Sequence, residues 1–294
     1  MYNDSFGNSV KRGYWGLPAA IRVIITINVA VFILQTLLSI FSPAYSSLFV
    51  DAFAFYPEWQ TALFQPWRAV TYMFLHGGAF HLLFNMLWLW WLGRSVEESM
   101  GPRTFSVLFF GAGIGGALFN IIAAPVLGFN PVIGASGAVY GIMVAFAMLY
   151  PTMPIMLIFF PPIQARYVVA GLIAIDALLL GSSDGTARIV HLAGAGIGYL
   201  LMKYHRQGND LSRWVLPIEQ FWYRLKGTYQ KKKSRPKNKN MYSVSDVEIV
   251  DETDQSELDA ILEKISQKGY DGLTDEEKQK LFELSKKNLI EQFE

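Results

Sequence analysis

The 294-residue sequence contains no cysteine. That excludes disulfide staples, a thiol nucleophile and thiolate metal sites. Charge is scarce as well: Asp, Glu, Lys and Arg make up 17% of the chain, against 52% hydrophobic and 15% aromatic residues. A net charge of +1 gives no basic surplus for a nucleic-acid partner, and none is expected. The few charges are unevenly placed. From Ile21 to Tyr204 the chain is a series of apolar runs with few ionisable residues, and from Lys231 onward it is highly charged. The first part is too apolar to fold in water and the last too polar to span a membrane. Residues 1–20 hold Lys11 and Arg12 but no short apolar stretch with a small-residue cleavage site, so the first span is expected to act as an uncleaved insertion signal.

A helix needs roughly 20 apolar residues to cross the hydrocarbon core. Six candidate spans are found, at 20–42, 79–100, 104–127, 134–150, 165–182 and 187–204. The expected fold is therefore all-α: a polytopic six-helix membrane bundle with a small soluble helical tail. The organisation follows as a cytoplasmic N-terminal segment (1–19), a membrane domain (20–204), an amphipathic and basic linker (205–250) and a helical hairpin (251–294). Pro151-Thr-Met-Pro154 and Pro161-Pro162 predict an irregular connection before the fifth span. Lys11, Arg12, Arg22, Arg94, Arg103, Arg166, Lys203 and Arg206 fall on one side of the bundle, and only Arg68 and Arg188 on the other. By the positive-inside rule both termini are cytoplasmic and spans two, four and six run inward. The expected location is a bacterial cell (inner) membrane, with the lipid bilayer itself as a partner.

That orientation brings three sequence-distant polar clusters to one depth near the outer boundary: His81 and Asn85 in span two, Ser136 in span four and His191 in span six. Polar groups within spans are costly and usually face the bundle interior, so convergence points to an active site. Ser136, in Gly134-Ala-Ser136-Gly137, reads on its own as a packing residue of a Gly-rich helix as readily as a nucleophile at a helix N-terminus. His191 shifts the balance, because a histidine inside a span is rare and supplies a general base and acid. Gly194 and Gly198 follow on the same face and permit close helix approach. Tyr140, one turn after Ser136, is placed to pack on the imidazole, although a plain core tyrosine fits too. His81 and Asn85 share a helix face and can both donate to an oxyanion, and His76 marks the helix entry.

No acid has a clear path to His191 from sequence: Asp176 reads as mid-span, with a structural bond across helices as its default role, and Asp184 as a loop residue. A Ser–His dyad is favoured over a triad. Arg188 either snorkels to the headgroups or lies near the base. Zinc is disfavoured, because His76, His81 and His191 form no His-Glu-x-x-His motif and have no adjacent carboxylate base. No metal and no cofactor is expected.

Together these residues resemble the rhomboid family of intramembrane serine proteases, bacterial type. His76-x4-His81-x3-Asn85, Gly134-x-Ser136-Gly137 with Tyr140, and His191-x2-Gly194-x3-Gly198 stand in the family's order. Trp67-Arg68 and Glu97-x3-Gly101 resemble its first-loop pair and a structural motif closing the second span. The resemblance covers about residues 15–205. It implies Ser136 as nucleophile, His191 as base and acid, and an oxyanion held by His81, Asn85 and the Ser136 amide. It implies single-span or polytopic membrane proteins as substrates, cut where a helix unwinds near the outer face. Residues 181–187 match the position of the family's flexible cap over the site. The rival reading is a rhomboid-like pseudoprotease that binds membrane clients without cutting them.

Beyond the spans, Trp214, Phe221, Trp222 and Tyr223 among basic residues predict an interfacial segment. Lys231–Lys233, Arg235, Lys237 and Lys239 form a basic run that suits anionic headgroups or a solvated linker equally. An acidic stretch runs from Asp246 to Glu257. A helix is predicted from near Ser256, broken at Lys268-Gly-Tyr-Asp-Gly272. A second starts at a capping box, Thr274 with Glu277, with apolar positions Leu281, Leu284 and Leu289. The hairpin reads as a docking or regulatory module with a possible cytoplasmic partner.

Overall fold

A computed structural model describes residues 6–156, 161–181, 185–225 and 252–281. The chain divides into two compact units, with the boundary between Thr228 and Tyr229. The first is a membrane-spanning bundle of helices. After a short helix α1 (Phe6–Trp15), α2 (Ala19–Phe41) starts directly behind Pro18. At 23 residues α2 is about 35 Å long, enough to cross the bilayer core. The only other described helix that is long and apolar enough by itself is α6 (Ala79–Leu127), which combines the second and third expected spans.

Gly101 breaks α6 with φ 78° and ψ 161°, a conformation only glycine adopts cheaply, and Pro102 follows it. The two arms lie side by side: the Phe105 ring edge is 3.4 Å from where a Cβ on Gly93 would stand. Just before the break, the two oxygens of Glu97 accept the backbone amides of Ala20 and Ile21, each at 2.8 Å. These are orphan donors at the start of α2, and a carboxylate there also meets the positive end of the helix dipole. Glu97-x3-Gly101 is thus a remote helix cap followed by a chain reversal.

The long first loop carries α3 (Pro43–Phe53), α4 (Trp59–Phe64), α5 (Arg68–Thr71) and a 3-10 turn at Tyr72–Phe74. Arg68 is buried and holds the loop together. Its guanidinium donates to the carbonyls of Asp51 and Ala54 and to the Gln65 side chain, and lies 5.2 Å from the Tyr56 ring centroid. Trp67 Nε1 donates to the Ala52 carbonyl at 3.4 Å. Phe55 and Val132 exchange backbone hydrogen bonds of 3.0 and 2.8 Å, which ties the loop to the segment leading into α7 (Ser136–Leu149).

The connection after α7 is more ordered at its ends than its prolines suggest, because Pro154–Ile155 pairs antiparallel with Ile163–Gln164. Two helices complete the bundle, α8 (Ala165–Leu178) and α9 (Gly185–Arg206). Helix α8 ends four residues short of the expected 182. Residues 185–187, read from sequence as part of a flexible loop, are the first turn of α9; residues 182–184 lie outside the described residues.

The tightest packing is between α7 and α9. A Cβ on Gly194 would stand 2.1 Å from the Gly137 carbonyl oxygen, and one on Gly198 only 2.6 Å from the Gly141 Cα. In lipid, where apolar surface gains nothing from leaving water, such backbone-to-backbone contact is what van der Waals packing needs. Around this seam Leu89, Phe105, Leu108, Phe109, Ile142 and Phe146 are buried. Beyond α9, a 3-10 turn (Leu211–Trp214) leads to α10 (Leu216–Leu225). Glu219 of α10 takes a bidentate pair from Arg103 at 2.9 and 2.7 Å, while Trp214, Phe221, Trp222 and Tyr223 are more than half exposed.

In the second unit α11 (Glu252–Lys268) begins one turn before Ser256 and ends at Gly269, whose φ is 72°. Residues 275–281 are helical. The capping box forms: the Thr274 amide donates to Glu277 Oε2 at 2.8 Å, and the Glu277 amide to Thr274 Oγ1 at 3.4 Å. Lys264 of α11 pairs with the same carboxylate at 2.6 and 2.9 Å, and Ile261 and Leu273 are buried. Leu284, Leu289 and the basic run 231–239 lie outside the described residues.

Candidate active site

Ser136 is the first residue of α7, so its amide belongs to the unpaired donors of a helix N-terminus. Gly134 sets the approach. It has φ 120°, its amide donates to the Tyr72 carbonyl at 2.9 Å, and a Cβ there would stand 2.7 Å from Cε1 of His81. Only glycine meets both the backbone conformation and the imidazole. Ser136 Oγ lies 2.6 Å from Nε2 of His191. The glycine seam makes this possible by bringing α9 against α7, and Val190 fills the space beside Gly137, with a methyl carbon 2.8 Å from that residue's virtual Cβ. The Tyr140 ring stacks on the imidazole, with centroids 4.7 Å apart and planes 14° from parallel. Stacking on the imidazole is one of the two placements that the spacing left open.

The other face of the imidazole edge is occupied. Asp176 Oδ2 is 2.9 Å from His191 Nδ1, and Asp176 Oδ1 accepts from Arg188 Nη1 at 2.8 Å. One reading of the sequence is corrected here. Asp176 is not mid-span: α8 stops at Leu178, so the residue sits in the last turn. Helix α8 runs opposite to α7 and α9, which brings its end to the level of Ser136. Of the two readings left open for Arg188, the structure matches the one beside the imidazole, because it shares the Asp176 carboxylate with His191. The sequence held a signal for this: two opposite charges within adjacent spans seek each other.

On the first arm of α6, the Gly77 amide donates to His81 Nδ1 at 3.3 Å. That contact assigns the proton of a neutral His81 to Nε2, on the side of Gly134 and Ser136. Asn85 Nδ2 donates to the His81 carbonyl at 2.8 Å, and its second N–H remains as a donor. His76 stands behind, buried, its ring 5.0 Å from that of His81. Gln35 of α2 clamps the His76 backbone: its Oε1 accepts from the amide at 3.2 Å and its Nε2 donates to the carbonyl at 3.4 Å. Sequence reading assigned Gln35 nothing, although a polar residue in an apolar span was the available cue. Trp67, Arg68, Glu97 and Gly101 lie apart from the serine and serve the scaffold.

The arrangement gives a hydroxyl a proton acceptor in hydrogen-bond contact, with a helix N-terminus and two side-chain donors close by. Ser136, His81 and His191 are partly buried and Asn85 is buried.

Several known proteins are similar to this chain. The model of the rhomboid domain matches residues 63–207, and that of a family of unknown function (DUF6576) matches residues 252–287. Rhomboid protein 1, mitochondrial, of Saccharomyces cerevisiae is 36% identical over 135 residues, covering 43% of this chain and 38% of the relative. Rhomboid protease GlpG of Klebsiella pneumoniae is 36% identical over 121 residues, covering 41% and 40%. Rhomboid protease GluP of Bacillus subtilis is 40% identical over 75 residues, covering 26% and 14%. The chain thus spans about two-fifths or less of the length of these relatives. With the site residues on one bundle and the match running through all of them, the chain belongs to the rhomboid family.

Proposed function

We propose that this protein is an intramembrane serine endopeptidase, cleaving membrane-protein helices near the outer membrane face through Ser136 and His191. The observation that carries the reading is the 2.6 Å contact between Ser136 Oγ and His191 Nε2, made at the N-terminus of α7. As Ser136 Oγ bonds to the scissile carbonyl carbon, its proton passes to Nε2. The oxyanion is received by the Ser136 amide, His81 Nε2–H and the second N–H of Asn85, and each such donor is worth about 10²–10³ in turnover. Collapse breaks the C–N bond while His191 returns the proton to the leaving amine. Water then releases the acyl-enzyme by the same steps. A substrate helix has to unwind first, because a regular helix shields its own peptide bonds.

The distribution of Lys and Arg supports both termini in the cytoplasm with the site towards the outer leaflet, and the likeness to bacterial rhomboid proteases supports a bacterial inner membrane. The tail hairpin is proposed as a docking or regulatory module, with a cytoplasmic partner in the docking case. Co-expression with a tagged single-span reporter tests the activity. Cleavage by the parent and none by Ser136→Ala or His191→Ala is expected. Equal cleavage by the Ser136→Ala variant removes Ser136 as nucleophile. A folded parent that binds but cuts none of several reporters points instead to a client-binding pseudoprotease.

A further inference from the structure

We infer that Asp176 is a third member of this site, a positioning residue whose carboxylate holds the His191 ring and the proton on its Nδ1, so that the pair works as a Ser136–His191–Asp176 relay. The inference rests on the proposed protease reading and extends it.

The contacts run in one line. Arg188 Nη1 meets Asp176 Oδ1 at 2.8 Å, Asp176 Oδ2 meets His191 Nδ1 at 2.9 Å, and His191 Nε2 meets Ser136 Oγ at 2.6 Å. The way the carboxylate is divided is informative. An acid kept only to neutralise Arg188 would gain most by giving it both oxygens, since a guanidinium matches a carboxylate bidentately. Here one oxygen holds the arginine and the other is turned to the imidazole. The Asp176 side chain is 7% exposed and that of His191 20%, so the contact is shielded from competing water. Tyr140 fixes the ring plane by stacking. An acceptor at Nδ1 selects the tautomer that leaves Nε2 free to accept the serine proton.

During reaction the Ser136 proton moves to Nε2 as Oγ bonds to carbon. The resulting imidazolium keeps its Nδ1–H on Asp176, which stabilises the positive charge without taking the proton. When the C–N bond breaks, the Nε2 proton goes to the leaving nitrogen and the ring returns to its starting tautomer.

The groups facing His191 are Ser136 and Tyr140 on α7, Asp176 on α8, Arg188 on its own helix and His81 on α6. Two of these carry fixed charges of opposite sign, and that makes the test directional. The full chain in detergent is reacted with a fluorophosphonate probe across a pH series: Ser136 Oγ displaces fluoride from phosphorus, and the serine proton leaves through His191. The labelling rate rises with pH as the imidazole becomes free to act as base. Asp176→Asn is expected to slow labelling ~10²-fold at the optimum and to move the midpoint of the profile to lower pH, because the anion that favours the imidazolium is gone. Arg188→Gln is expected to move the midpoint to higher pH, with a loss of about tenfold or less.

Opposite shifts support the relay. Labelling by both variants within about twofold of the parent, with unmoved midpoints, overturns it and leaves Asp176 as a structural partner of Arg188. Should the Asn variant fail to fold, the Arg188→Gln profile decides alone, and an unmoved midpoint there overturns the relay. An unlabelled parent, or a labelled Ser136→Ala variant, defeats the underlying protease reading instead and is told apart by those two controls.

Discussion

Two helices flank the site and are built very differently. Helix α9 meets α7 backbone to backbone, and of the fourteen residues of α7 the nine from Gly137 to Phe146 other than Tyr140 are buried. Helix α8 is the same length but buries only Ala165, Val168, Val169 and Asp176. Ser136 and His191 thus sit on a seam that has no room to move, whereas the Asp176 carboxylate comes from a loosely held helix. Rigidity is concentrated where the shortest contact must be kept, and the more loosely packed side is where a partner has space to approach.

One substitution made on both sides gives the largest contrast. At Gly194, Ala would put a methyl group 2.1 Å from the Gly137 carbonyl oxygen, which cannot turn aside, whereas Gly171 of α8 has nothing within 4 Å of its virtual Cβ. Gly194→Ala is expected to cost about 3 kcal/mol and to separate Ser136 from His191, abolishing labelling by a serine-directed probe. Gly171→Ala should be neutral or stabilising by up to about 1 kcal/mol, since Ala is the better helix former. Thermal unfolding in detergent with parallel labelling reads both. Equal losses at the two positions would dissolve the contrast.

A smaller effect is expected at the other end of the scaffold. Glu97→Gln removes the charge from the cap on α2 and leaves an amide that can accept through one oxygen only. A loss of about 2 kcal/mol is expected in the same unfolding measurement, in line with charge-assisted bonds, with labelling per folded molecule retained. Loss of labelling in the folded fraction would mean that the rigid half extends as far as this cap.

The smallest effect concerns the tail. Lys264, followed by the Thr274 amide, pulls the Glu277 carboxyl from its usual 4.5 down to about 2. A carboxyl depressed in the folded state stabilises that state above its ordinary value, and the contribution fades as pH falls through the folded one. Far-ultraviolet circular dichroism of the tail should therefore weaken progressively between about pH 4.5 and 2. Glu277→Gln should flatten that dependence.

Most of the bundle could be read from the chain. The apolar runs gave α2 and both arms of α6 to within two residues, because span length is fixed by bilayer thickness rather than by partners. Ser136, His191, His81 and Asn85 could be read because polar residues in spans are rare enough to be informative. What escaped depended on where helices stop. Nothing in Leu178-Leu-Leu-Gly181 marks a helix end as Leu178, so Asp176 was set a turn too deep and its path to His191 was missed. The first turn of α9 was likewise hidden by residues that usually make loops, Gly185 and Thr186. The division of one carboxylate between Arg188 and His191 is a matter of tertiary placement that no local pattern encodes.

The cap formed by Glu97 also sets a timetable. The amides it satisfies belong to Ala20 and Ile21, which precede it by 77 and 76 residues. At ~5–20 residues per second, a ribosome needs about 4–15 s to deliver that carboxylate after the start of α2 has been made. Through that interval the leading amides of the first helix have no Glu97 carboxylate to meet, and the contact that caps them forms only once the second stretch of membrane helix has been made.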